Sequence, residues 1–328
     1  MFDNISFKLE NFSKERFYKL VTKHIGANVN SITYAKSQRG GKRYINWENL
    51  RIEFYPHSKQ LWIKNSIHKF YNTHILNWGA YNHNTFTLAN FNETVLFLCN
   101  TLDCYPNDLK LFGHFEFGLN IIVNQKPFSI ISRFDSIVTT ASNPFYVMPN
   151  EYGKPIEKRC DFTNYAVKFY DKGKQAQVKG KILRYEFVCK NIEQTRKIFG
   201  KLGNEQITLQ DLLNVENWHK CYDKLISVFG SIRKTPFADN LSPLEYASVK
   251  AYTDTVFMED HKKILSNKNE YKKVFAECKE VYQTVIQREG TCFVELKEKF
   301  KQTFESLILE KNKIRNVSIE LKLQFATN

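Results

Sequence analysis

The chain lacks the arrangements of cysteine that would mark a metal knuckle or a secreted scaffold. Its seven cysteines, Cys99, Cys104, Cys160, Cys189, Cys221, Cys278 and Cys292, are odd in number, scattered, and never spaced as Cys-x-x-Cys, so neither a disulfide framework nor a zinc site is indicated. A reducing compartment is expected. No window approaches the roughly 18 uninterrupted apolar residues of a membrane span, and Met1-Phe2-Asp3-Asn4 shows no basic segment leading into an apolar one. These absences lead to the expectation of a cytoplasmic protein without membrane contact. Internal repeats and low-complexity linkers are also missing, and acidic residues are in deficit, with 34 Asp and Glu against 48 Lys and Arg.

What is present suits a large packed core and a polyanionic partner. Of 328 residues, 42% are hydrophobic and 15% aromatic, ample for one large or two ordinary domains. The net charge of +14 is spread through the chain, with 26 Lys/Arg against 16 Asp/Glu in residues 1–195 and 22 against 18 in residues 196–328. The first part therefore carries the stronger polyanion-facing signal.

Alternation of apolar residues predicts a β-hairpin over Glu48–Ser66, with Leu50, Ile52 and Phe54 on one face and a Pro56-His57-Ser58 turn. Further strands are expected at Leu109–Val123, Tyr165–Asp171 and Lys181–Lys190, the last two forming an antiparallel pair. Helical spacing predicts a helix over Asn92–Cys104 capped by Asn92-Glu93. After Asn191 it predicts helices over Ile192–Phe199, Leu209–Gly230, Leu244–Phe257, Asn269–Gln287 and Cys292–Lys311. A final alternating run, Val317 to Phe325, reads as a strand. The expected class is α+β, a mainly antiparallel sheet with packed helices followed by a mostly helical C-terminal part, with a boundary near residue 195.

Three strand segments carry the candidate chemistry. On Gly113–Asn120, His114 and Glu116 share a face with Lys110 and Asn120, and an imidazole beside a carboxylate can hold Mg²⁺ or Mn²⁺ bound partly through a substrate phosphate. On Tyr165–Lys174, Lys168, Tyr170 and Lys172 share a face. A phenol, with a pKa near ~10, attacks a phosphodiester only beside positive charge or a polarised phosphate, and the two lysines supply the charge. On Leu183–Phe187, Glu186 shares its face with Arg184, either as a plain ion pair or as a third metal ligand. If Glu186 faces the site, Tyr185 faces away, which favours Tyr170 as nucleophile. Arg39, Lys42, Arg43 and Lys64, interleaved with Tyr44, Trp47 and Trp62, are candidates for tracking phosphates and stacking unpaired bases.

The order of these pieces resembles the phage and plasmid replication initiators grouped around the filamentous-phage gene II protein, a divergent branch of the rolling-circle nucleases. The resemblance runs from Leu50-Arg51-Ile52-Glu53-Phe54-Tyr55 through Ile63–Phe70 and His83-Asn84-Thr85-Phe86 to an acidic strand residue, Glu116. It then continues through Tyr170-Asp171-Lys172 to Arg184-Tyr185-Glu186. It implies a nuclease domain over 1–195 in which Tyr170 nicks one DNA strand at an origin and stays linked to the 5′ phosphate. His114, Glu116 and Glu186 would hold the metal, and Arg184 would join Lys42, Arg43, Lys64 and Trp62 in DNA contact. The chain departs from the wider class in having His114 followed by Glu116 where two histidines are expected, and a related plasmid group would favour Tyr185 as nucleophile. The implied setting is a bacterial cytoplasm with host helicase and polymerase as partners. Two other readings stay open: a non-catalytic binder of single-stranded nucleic acid and a plasmid-mobilising relaxase.

Overall fold

A computed structural model of the chain describes residues 1–36, 41–139, 142–149, 153–235, 241–254, 260, 262–264, 267–289 and 291–309. Its strands are β1 (Phe2–Leu9), β2 (Thr33–Ala35), β3 (Lys42–Trp47), β4 (Leu50–Tyr55), β5 (Gln60–Lys64), β6 (Leu109–Ile122), β7 (Phe134–Val138), β8 (Ser142–Pro144), β9 (Tyr146–Pro149), β10 (Pro155–Asp161), β11 (Tyr165–Asp171), β12 (Ile182–Cys189) and β13 (Ile232–Lys234). Ten of them form one antiparallel sheet in the order β2-β3-β4-β5-β1-β6-β12-β11-β10-β9, and β13-β7-β8 form a small second sheet. The fold is α+β, as expected, and the Glu48–Ser66 hairpin is the pair β4–β5 in the predicted register of faces.

One face of the large sheet is the core. Ile5, Phe7, Ile52, Phe54, Leu61, Ile63, Phe115, Phe117, Phe169, Tyr185 and Phe187 point into it, and helices Leu88–Leu102, Ile192–Phe199, Val215–Gly230 and Thr291–Leu309 close over them. Aromatic rings dominate the contact: Phe2 meets Trp218 at 4.7 Å, Phe169 stacks on Tyr185 at 4.2 Å, and Tyr185 packs on Phe300 at 5.5 Å. Residues on both sides of position 195 thus share one hydrophobic core.

Several boundaries differ from the sequence expectation. The helix predicted from Asn92 begins at Leu88, because Thr87 caps it and Asn90 returns its side chain to the Thr87 backbone. That box uses Asn where Glu or Gln is the usual signal. Leu209–Gly230 is two helices, Leu209–Leu213 and Val215–Gly230, broken at Asn214, whose extended backbone and side chain start the second. The connection between β11 and β12 contains one helical turn, Lys172–Gln175, capped by Asp171. The strand predicted at Val317–Phe325 lies outside the described residues, as does Arg39.

Two irregularities set the stage for the site. Between Phe2 and Ile5, β1 spends three residues where β6 spends two, a bulge that turns both Asp3 and Asn4 toward the open face of the sheet. In β6 the mismatch with β1 falls around Gly113, whose φ of +63° is a left-handed conformation that suits glycine.

Candidate active site

The open face carries a cleft of about 490 Å³ over β1, β6, β10, β11 and β12. Asp3, Asn4, Ser66, Asn82, Glu116, Glu157, Lys168, Tyr170, Lys172 and Glu186 line it. Alternation on three adjacent strands brings Glu116, Lys168, Tyr170, Arg184 and Glu186 to the same side, since β6 pairs with β12 and β12 with β11. Gly118 sits directly across from Glu186. A Cβ at Gly118 would lie 2.2 Å from the Tyr185 carbonyl oxygen and 2.9 Å from Glu186 Cγ, so the close approach that seats Glu186 requires glycine.

Tyr170 Oη donates to Glu186 Oε1 at 2.9 Å. Burial pushes the phenol pKa well above 10, and the negative charge of Glu186 adds to the effect. The hydroxyl is therefore neutral at neutral pH and has an acceptor placed to take its proton. Arg184 fixes that acceptor. Its guanidinium donates to Glu186 Oε1 at 2.8 Å, to Asn120 Oδ1 at 3.0 Å and to Asp3 Oδ2 at 3.2 Å. Asp3 is in turn held by the Ser66 hydroxyl and by Asn82 at 2.6 Å. Burial opposes its ionisation, yet Arg184 and Ser66 hold its pKa below the ordinary value.

Both flanking lysines reach the cleft. Lys168 Nζ bonds Glu116 Oε1 at 3.0 Å and lies 3.7 Å from Glu186 Oε2. Burial works against its charge, and the two carboxylates outweigh burial to raise its pKa. Lys172 Nζ donates to Asn82 Oδ1 at 2.6 Å and Gln175 Oε1 at 2.8 Å, and stands 5.6 Å from the Tyr170 ring centroid. Burial, with the nearby Arg184 charge, brings its pKa down to about 8.

The expected metal trio is arranged differently from a cage. His114 Nε2 is 2.9 Å from Glu116 Oε1, and Asn4 donates to the other oxygen of Glu116. Burial resists ionisation of Glu116, but His114, Lys168 and Asn4 hold its pKa at about 2. Glu186 stands apart from this pair, with the Lys168 ammonium between the two carboxylates. Among the described residues no three His, Cys, Asp or Glu side chains are grouped to hold a metal ion. As arranged, the trio does not fit a divalent ion, because the Lys168 ammonium stands between the Glu116 and Glu186 carboxylates that such an ion would join.

The remaining sequence candidates divide. Tyr185 points into the core on the opposite face, and its hydroxyl donates to the Leu225 carbonyl at 2.8 Å. Arg184 is 3% exposed and occupied by buried partners, so it organises the cleft and does not present a phosphate-contacting surface. Trp47 is buried against Phe70 and His74, away from any base. Arg43 stacks over Tyr18 and Tyr34 on the core-facing side. Lys42, Lys64 and Trp62 come together on the open face of β3-β4-β5, where a buried Glu53 gathers Lys42 at 3.0 Å, Arg51 at 2.8 Å, Lys64 at 2.9 Å and the Tyr55 hydroxyl at 2.9 Å. Burial disfavours the Glu53 charge, but Lys64, Lys42 and Tyr55 keep its pKa at about 2. Tyr44, Tyr55, Trp62 and Phe112 surround the cluster, with Arg51 4.2 Å from the Tyr44 ring centroid and Trp62 4.5 Å from both Tyr55 and Phe112.

Sequence reasoning missed Asp3, Ser66, Asn82 and Glu157. The alternation of Ile5, Phe7 and Leu9 was a usable signal for β1, but a strict period of two sends Asp3 and Asn4 to opposite faces, and only the bulge brings both to the cleft. Ser66 and Asn82 arrive from connecting segments that carry no periodicity.

No protein-family model and no curated protein sequence matches the chain. No helix among the described residues is long and apolar enough to cross a membrane. Among solved structures the chain is similar to a rolling circle replication initiator protein from Geobacillus stearothermophilus, at 11% identity over 60% of this chain and 76% of that one, with a TM-score of 0.35. A likeness so distant assigns no activity.

Proposed function

We propose that the chain is a DNA strand-cleaving enzyme of the replication-initiator type, in which Tyr170 attacks a phosphodiester and is left as a 5′-phosphotyrosine. The observation that carries this reading is the hydrogen bond from Tyr170 Oη to Glu186 at 2.9 Å, inside a cleft whose walls bear two ammonium groups. Glu186 is the general base that takes the phenolic proton as Oη approaches phosphorus. Arg184 holds Glu186 in position and Asp3 holds Arg184. Lys168 and Lys172 face the charge that builds on the phosphoryl oxygens. The phosphotyrosine conserves the energy of the broken bond, so a free 3′ hydroxyl can prime synthesis and later religate the strand.

The divalent Mg²⁺ or Mn²⁺ ion expected from the sequence would compete with the Lys168 ammonium for the place between Glu116 and Glu186. Duplex opening and strand synthesis would fall to a host helicase and polymerase, and the cell interior is the compartment in which such a replicon is met. A non-catalytic single-strand binder is favoured by one observation, the aromatic and basic cluster around Glu53, which needs no chemistry to bind.

The test is adduct trapping with labelled single-stranded DNA from the protein's own replicon, using wild type and Tyr170→Phe, with Mn²⁺ and with chelator. Wild type is expected to form a covalent adduct that Tyr170→Phe cannot form. An adduct that survives chelation assigns the cationic role to Lys168; one that requires Mn²⁺ means that the ion displaces it. Binding without cleavage on any strand would replace the enzyme by a binding module.

A further inference from the structure

The cleft holds a fourth carboxylate that the base, the anchor and the lysine network leave unused. Glu157 lies on β10 directly across from Tyr170 on β11, and across from Met148 on β9. Directly opposed side chains on neighbouring strands have Cβ atoms about 4.5–5.5 Å apart, so Glu157 flanks the nucleophile on the side away from Glu186. The other three carboxylates are already engaged: Asp3 by Ser66, Asn82 and Arg184, Glu116 by His114, Asn4 and Lys168, and Glu186 by Tyr170 and Arg184. Among the described residues the Glu157 carboxylate accepts no hydrogen bond and makes no ion pair, although the residue is half-buried and lines the cleft.

Its surroundings make the charged carboxylate less favourable than it is for an ordinary glutamate. Burial raises its pKa; Lys168 from β11 and Arg159 from its own strand oppose this, while Glu186 from β12 and Glu116 from β6 add to it. Glu186, by contrast, lies between a guanidinium and an ammonium. Two carboxyl groups thus flank one tyrosine, Glu186 accepting its hydroxyl proton and Glu157 left without a partner on the other side, the placement of a base and an acid about one reacting centre.

Resting on the tyrosine-nuclease reading, we propose that Glu157 is the general acid of strand cleavage, protonating the 3′ oxygen that leaves phosphorus. The Tyr170 Oη–P bond forms and the P–O3′ bond breaks. The phenolic proton passes to Glu186, and the carboxylic proton of Glu157 passes to the departing oxygen. In religation Glu157, now a carboxylate, takes the proton back from the attacking 3′ hydroxyl.

The test is single-turnover cleavage, at the mapped scissile position, of an ordinary oligonucleotide and of one with a bridging 3′ sulfur there. A thiolate leaves without protonation, so a variant lacking the acid is rescued by sulfur. Glu157→Gln is expected to cleave the oxygen substrate about 10²–10⁴-fold more slowly than wild type, the usual worth of a general acid, and the sulfur substrate within a few-fold of wild type. Glu157→Asp should retain part of the rate on oxygen. Equal slowing on both substrates, or no slowing on either, overturns the assignment and leaves the nuclease reading intact. Failure of the wild type to cleave either substrate overturns both.

Discussion

Tyr170 and Tyr185 show how a strand sorts two candidate nucleophiles that residue type alone cannot separate. They lie on adjacent strands, Tyr170 on the cleft face and Tyr185 in the core with its hydroxyl given to the Leu225 carbonyl. A phenol in the second setting has neither a base nor a route to a phosphate. Around Tyr170 the charges are close to balanced, and the balance depends on pH through Lys172. That lysine titrates at about 8 because burial and Arg184 disfavour its charge. Below that value the ammonium is present to meet the phosphoryl oxygens, and above it the charge is lost. The rate of adduct formation is accordingly expected to fall as pH rises through about 8, and Lys172→Arg, whose guanidinium stays charged, is expected to remove that fall. A pH–rate profile of the two proteins checks this, and an unchanged profile in Lys172→Arg would detach Lys172 from the charge on the phosphate.

At the scale of elements, the seam between β6 and β12 positions the chemistry. Glu186 is opposite Gly118, and an added methyl at that position would meet the Tyr185 carbonyl at 2.2 Å. Backbone cannot yield there as a flexible side chain would, so the two strands must part. Gly118→Ala is expected to cost more than about 2 kcal/mol of folding stability, the range of overpacked or strained core substitutions, and to uncouple Glu186 from Tyr170. Denaturant melts read the first effect and the adduct assay the second. A variant with wild-type stability would mean that the seam adapts. The β1 bulge matters in the same way, since without it Asp3 would face the core and Arg184 would lose one of its two carboxylate partners.

Across the whole molecule, one open sheet face joins the cleft to the Glu53 cluster. Counting from β4 to β11 at about 4.8 Å per strand places them about 24 Å apart, a span suited to a few nucleotides of extended single strand. Glu53 neutralises part of the charge of Lys42, Arg51 and Lys64, yet the cluster remains positive and is walled by rings. Replacing all three basic residues by Ala is expected to weaken binding of single-stranded DNA and to reduce the slope of log affinity against log salt by about 1 to 2, given roughly 0.7 per neutralised phosphate. Trp62→Ala is expected to cost about 1–3 kcal/mol with little change in slope, the signature of lost stacking. Fluorescence anisotropy over a salt series distinguishes the two, and unchanged affinity in both variants would remove this face from the nucleic-acid path.

The amino-acid sequence by itself determined the α+β class, the β4–β5 hairpin, the long β6 strand, the β11–β12 pair and most of the later helices. These elements follow from side-chain periodicity, which is a local property. It also determined that Lys168 and Tyr170 share a face and that Glu186 and Tyr185 cannot. Only the tertiary structure decided that Lys168 stands between Glu116 and Glu186, that Arg184 is buried beneath the cleft, and that Asp3, Ser66, Asn82 and Glu157 belong to it. Those facts depend on strand order, on one bulged residue in β1 and on connecting segments meeting far along the chain. Such contacts between distant residues leave no period in the sequence from which they could be read.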